Sequence, residues 1–200
     1  MDCMDLMAKY PDNHFDLAIV DPPYGGDDAI GIKNNKIGKK QATKRTDYKV
    51  FENVEPTKEY FKELFRVSKN QIIWGGNYFI NYLQPTRAFI TWDKMNYLPS
   101  MSQVELAWTS FDRHSKLIKI TSNQLDRFHI SQKPIPLYEW LLMNYAKEND
   151  KILDTHLGSG SVAIASHNLG FDLTACELDK EYFEASIKRI NQQIAQQRLF

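Results

Sequence analysis

Short apolar runs that stop at an acid or a glycine, separated by stretches of helical periodicity, restrict this chain to few architectures. Leu17–Val20 ends at Asp21 and Gln71–Trp74 ends at Gly75-Gly76, while Lys151–Asp154 and Leu173–Cys176 have the same form. Runs this short and continuous suit strands buried on both faces. Pro56 to Lys69 sets Tyr60, Phe61, Leu64 and Phe65 on one helical face, with proline in the expected first turn. Pro136–Lys147 and Asp179–Gln197 read as two more helices. Ala88–Trp92 and Val104–Trp108 read as an antiparallel strand pair joined by a turn over Asn96–Ser102. Strands alternating with helices imply right-handed parallel crossovers, hence a doubly wound α/β sheet that is mostly parallel. Ligands of such sheets bind beyond the strands' carboxyl ends, where the winding direction reverses.

Composition narrows the reading. Two hundred residues, 42% hydrophobic, fill one core, so a single domain over 1–200 is expected. Lys and Arg (25) balance Asp and Glu (25), so any polyanion must meet a local patch and not a global field. One such patch exists. Residues 25–53 lack apolar periodicity, and across 33–49 within them Lys33, Lys36, Lys39, Lys40, Lys44, Arg45 and Lys49 face a single acid, Asp47. A mobile basic loop that contacts DNA phosphates is the functional reading, and a solvated linker is the plain one. Cys3 and Cys176 match no disulfide or metal spacing, so no metal is expected and a reduced, cytoplasmic setting is. No apolar leader or membrane span is apparent.

Two segments carry chemistry. Asp154-Thr155-His156-Leu157-Gly158-Ser159-Gly160, between a strand and a helix opening at Ser161, has the form of a nucleotide-type cofactor loop. An acid after the next strand, Glu177, suits two ribose hydroxyls, and Leu178 would cover an adenine face. With Ala163 in the third position the loop also fits a dinucleotide fingerprint, so a dehydrogenase stays open at this point, as does a ligand-free turn. The second segment is Asp21-Pro22-Pro23-Tyr24. Two prolines fix the backbone and leave free carbonyls. An exocyclic amine on an aromatic base is a poor nucleophile, because its lone pair is delocalised. The Asp21 carboxylate and the Pro22 carbonyl can each accept one N–H and draw the nitrogen toward tetrahedral geometry. Tyr24 would stack on the extruded base.

With these motifs the chain resembles the β-type DNA amino-methyltransferases, in which a DPPY motif precedes an HPTQKP-like motif and then a DPFxGSG-like loop. Here Asp21–Tyr24 is followed by His129-Ile130-Ser131-Gln132-Lys133-Pro134 and by Asp154–Gly160. Asp2–Leu6, Pro11–Asp16, Trp92-Asp93-Lys94 and Gly170-Phe171 with Glu177 match flanking segments. The resemblance implies a Rossmann-like methyltransferase sheet with circularly permuted motif order, S-adenosylmethionine as cofactor and double-stranded DNA as partner. It implies transfer by Asp21, Pro22, Pro23 and Tyr24, with Asp21 also lining the cofactor pocket. Asp2 and Cys3 would lie at the adenine end. His129, Ser131 and Lys133 would lie at the methionine end, with Lys133 on its carboxylate; a solvated lysine and a structural histidine are the plain readings of Lys133 and His129. Asp154, His156, Gly158, Ser159 and Gly160 would form the floor, with Glu177 on ribose.

Three departures stand out. Thr155-His156 replaces Pro-Phe, which makes the wall beside the target base polar. Met1 directly precedes Asp2, where the family carries a glycine, so a shortened start to the pocket is expected. Only residues 94–128 lie between Trp92-Asp93-Lys94 and His129, which leaves no large target-recognition domain. A homodimer would compensate. Adenine N6 is the favoured target. Cytosine N4, an RNA base, a protein amide and a silent nucleic-acid-binding relative remain as alternatives.

Overall fold

The computed structural model describes residues 1–25, 54–96, 102–124, 127–129 and 131–196. Their elements run α1 (Cys3–Met7), β1 (Phe15–Val20), α2 (Lys58–Val67), β2 (Ser68–Trp74), β3 (Ile90–Asp93), β4 (Val104–Thr109), β5 (Lys116–Lys119), α3 (Ile135–Tyr145), β6 (Lys151–Asp154), α4 (Ser161–Leu169), β7 (Asp172–Ala175) and α5 (Lys180–Ala195). They build one sheet in the order β5-β3-β4-β2-β1-β6-β7. β1 pairs in parallel with β2 and β6, and β6 with β7. β4 alone runs against its neighbours, antiparallel to β2 and β3. The expected antiparallel pair is therefore present, and the sheet is otherwise parallel.

Alternation along β1 divides the core. Leu17 and Ile19 pack with Leu137, Leu141 and Val162 of α3 and α4 on one face. Ala18 and Val20 pack with Tyr60, Phe61 and Leu64 of α2 and with Leu6 and Met7 of α1 on the other. Both faces are covered, which explains the unbroken apolar runs.

The structure moves some boundaries. Pro56 lies before α2, whose N-cap is Thr57, and Ser68 already opens β2. Helix therefore passes into strand without a loop. Two elements escaped the sequence reading, α1 and the edge strand β5.

β1 continues to β2 on one side, whereas β6 continues to β7 on the other. The reversal falls between β1 and β6, adjacent central strands whose carboxyl ends carry Asp21 and Asp154. The two chemical motifs thus open side by side at the switch point.

Candidate active site

At the end of β1 each oxygen of the Asp21 carboxylate accepts from one protein donor. The Tyr24 hydroxyl donates to Oδ1 at 2.6 Å, and the Lys133 ammonium donates to Oδ2. Lys133, 3% exposed, also lies 3.1 Å from Glu105 Oε2, whose other oxygen is 2.5 Å from Lys94 Nζ. Burial opposes the Lys133 charge, but Asp21 and Glu105 together outweigh it and hold the ammonium above the ordinary lysine value. Burial likewise opposes the Glu105 charge, yet Lys133 and Lys94 keep its carboxyl low. The solvated-lysine reading of Lys133 is thereby corrected. Its charge is met by two protein carboxylates, Asp21 and Glu105.

Tyr24 stacks on Tyr78 with ring centroids 4.9 Å apart and planes 15° from parallel. Burial and the Asp21 carboxylate push its phenol well above the ordinary value, so it stays a donor. Beneath the ring, Gly75 has φ +68°, and a Cβ there would sit 2.2 Å from a Tyr24 ring carbon. No side chain fits. Gly75→Ala should cost about 2–4 kcal/mol, combining left-handed strain with overpacking, and should displace Tyr24. Urea unfolding together with turnover checks both effects. Pro22 is buried and Pro23 half-buried, which holds the tetrad rigid.

Beyond β6 the cofactor loop turns through two left-handed glycines, Gly158 at φ +52° and Gly160 at φ +74°. The Gly158 N–H donates to Glu177 Oε2 at 2.8 Å, and the Asp179 N–H to Oε1 at 3.0 Å. Glu177 therefore already stands beside the loop it is expected to serve. His129 faces Gly158, where an added Cβ would come 3.6 Å from its ring. The His129 ring meets Tyr182 edge-on and bonds Ser131 through Nδ1. Burial, then Lys133, lowers its pKa to about 4, so it stays neutral. His156 is also held neutral by burial, with a pKa of about 4. Its Nδ1 lies 2.9 Å from the Thr155 hydroxyl, which in turn lies 2.7 Å from that of Tyr60. The replaced Pro-Phe pair is thus a hydrogen-bonded polar wall. Asp2 caps α1 through the Met4 N–H at 2.7 Å, and burial raises the Cys3 thiol to about 11. Leu178 is 73% exposed. Lys33, Lys36, Lys39, Lys40, Lys44, Arg45 and Lys49 lie outside the described residues.

Asp154 is buried, and Oδ1 accepts the His156 N–H at 2.9 Å. Burial raises its carboxyl to about 8, against a partial offset from that bond. The folded chain therefore holds this proton more tightly than the unfolded one. Its stabilising effect is present at low pH and is lost as pH rises from about 4 to about 8. Asp154→Asn should accordingly lose less stability than wild type between about pH 5 and 8. An equal change in unfolding free energy between about pH 5 and 8 for variant and wild type, measured by denaturant titration, would refute this.

Sequence reasoning missed three supports. Arg189 of α5, 6% exposed, donates to the Ser159 carbonyl and the Ser161 hydroxyl and fixes the loop from below. Tyr78 covers Tyr24. Glu105 sits in an otherwise apolar run, Val104–Trp108, and an acid in such a run was the available signal.

The residues fit S-adenosylmethionine. Two left-handed glycines turn the chain between β6 and α4 beside the His129 ring, and a carboxylate suited to vicinal hydroxyls, Glu177, stands after β7 against the same loop. Fold and site together define an S-adenosylmethionine-dependent methyltransferase with its catalytic motif ahead of its cofactor motif. The N6/N4 DNA methylase family matches residues 33–188, and the chain belongs to that family. Type II methyltransferase M2.LlaDCHI of Lactococcus lactis subsp. cremoris is 22% identical, over 95% of this chain and 87% of the relative. M2.MboI of Moraxella bovis is 23% identical over 95% and 85%. The fold matches the M1.HpyAVI–SAM complex at TM-score 0.63 and 19% identity, covering 96% of this chain and 97% of that one. It matches PvuII DNA methyltransferase, a cytosine-N4-specific enzyme, at 0.64 and 13%, covering 96% and 89%. Among the described residues no helix is long and apolar enough to cross a membrane.

Proposed function

We propose that this DNA amino-methyltransferase acts on adenine N6 of a nucleotide flipped out of double-stranded DNA. The observation that carries the reading is Asp21, a carboxylate at the end of β1 held between Tyr24 and Lys133 and beside the cofactor loop. Each carboxylate oxygen already takes one protein donor and keeps a second lone pair. Those lone pairs, with the Pro22 carbonyl, accept the amine N–H groups, and Asp21 takes the proton released on transfer. S-adenosylmethionine, when bound, supplies the electrophilic methyl group. Glu177 binds its ribose, and His129, Ser131, Asp154, His156, Gly158, Ser159 and Gly160 line its pocket. A base that stacks on Tyr24 takes the place of the exposed Tyr78 ring.

A carboxylate is a stronger acceptor than a hydroxyl for the less acidic adenine amine, and this supports N6. The fold likeness to a cytosine-N4 enzyme supports the second reading, N4 of cytosine. Mass spectrometry of nucleosides from treated DNA decides between them, with N6-methyladenine expected; N4-methylcytosine alone would reverse the choice. The names of the relatives support a role in restriction–modification.

The basic stretch after Tyr24 supplies phosphate contacts in this reading. Replacing Lys39, Lys40, Lys44 and Arg45 with Ala should weaken all DNA alike and flatten the log–log salt slope by about 3–4. An unaltered slope would make the stretch a linker. With few residues left for target recognition, a homodimer completes the DNA-binding surface.

A further inference from the structure

One half-buried charge has no place in the chemistry described above. Glu105 is the second residue of β4, the one strand that runs against its neighbours. Because of that reversal, the start of β4 lies at the carboxyl end of the sheet, with the active site. Val104 is opposite Asp93, and Ala107 is opposite Trp74. An acid here enters the site from a strand that otherwise feeds the core.

Its surroundings are unusual for a structural ion pair. Lys133 is almost sealed from water, over the Trp74 ring at 5.2 Å, and touches both Asp21 and Glu105. Oε2 of Glu105 is shielded from water and meets Lys133 at 3.1 Å. Lys94 holds the other oxygen. A pair of this kind is usually no more stabilising than well-packed apolar residues, so its place beside Asp21 calls for another reason.

We propose that Glu105 is a positioning residue for methyl transfer, acting through Lys133 to keep the Asp21 carboxylate aimed and available to the substrate amine. The proposal rests on the catalytic reading of Asp21 given above. Lys133 shared between two carboxylates orients Asp21 without committing its whole charge to it. With Glu105 neutral, the lysine bonds Asp21 alone, loses its second tether, and competes with the amine for the same oxygens.

Three variants test this on DNA that the wild-type enzyme methylates. Glu105→Gln keeps the shape and removes the charge; kcat should fall roughly 10–100-fold, by analogy with the loss of groups that orient metal ligands. KM and Kd for S-adenosylmethionine should hold, since the lost interaction serves only the transition state. Glu105→Asp should restore part of the turnover. Added to Lys133→Met, Glu105→Gln should cause no further loss, because Glu105 acts only through that lysine. Unchanged kcat in a folded Glu105→Gln, or additive losses in the pair, overturns the proposal. Should the single variant fail to fold, the pair measured against Lys133→Met carries the test, and a further drop overturns it. A wild-type protein that methylates no DNA amine overturns the catalytic reading and this proposal together, whereas an active wild type beside an unaffected Glu105→Gln overturns this proposal alone.

Discussion

Asp21→Ala should lose methyl transfer by roughly 10²–10³-fold while still binding S-adenosylmethionine, the usual cost of removing one pre-placed group from a transition state. Two oxygens are at stake, both already oriented by Tyr24 and Lys133. The loss belongs in kcat, because the carboxylate engages the amine as its nitrogen becomes tetrahedral. Stability should also drop, by about 1–3 kcal/mol, since Lys133 would keep Glu105 as its only carboxylate partner. Asp21→Asn separates the two effects, because its amide oxygen preserves a contact to Lys133 and removes the base. Single-turnover kinetics beside calorimetry of cofactor binding reads both. Near-normal turnover in either variant would remove Asp21 from the chemistry.

Glu177→Ala should raise the cofactor dissociation constant about 100-fold or more and leave DNA affinity unchanged. Two hydrogen bonds to a charged acceptor contribute roughly 1.5–3 kcal/mol each, and 1.4 kcal/mol is tenfold. The structure adds a second route to the same loss. Glu177 binds the N–H groups of Gly158 and Asp179, so its removal also slackens the loop that forms the pocket floor. Glu177→Gln keeps one acceptor oxygen and should fall between. Calorimetry that finds wild-type affinity in Glu177→Ala would break the pocket assignment.

The strands that carry the chemistry were legible because each is a buried run closed by a turn residue. Leu17–Val20 before Asp21 and Lys151–Asp154 before the glycine loop both state their position in the sequence itself. β5 was not legible. Lys116–Lys119 places two lysines around one buried residue, Ile118, at the sheet edge, where half-exposed strands lose their apolar signature. Five-residue α1 is too short for periodicity to show. The site was legible as motifs but not as electrostatics. Lys133 meets Asp21 across 112 positions in sequence, so no local pattern reveals that its charge is shared and buried. Arg189 supports Ser159 from a helix whose sequence reads as merely amphipathic. The basic stretch, the clearest signal for DNA, lies outside the described residues.

Asp21 and the Gly158 loop share one sheet end because the winding reverses between β1 and β6, and the proposed methyl transfer depends on that juxtaposition. It is tested most directly by incubating the protein with methyl-labelled S-adenosylmethionine and, separately, unmethylated DNA, RNA and protein. Label in acid-stable methylated bases of DNA, absent with RNA and protein and lost in Asp21→Ala, is the predicted result. Label that appears in RNA or protein alone, or that persists on DNA in Asp21→Ala, would contradict it.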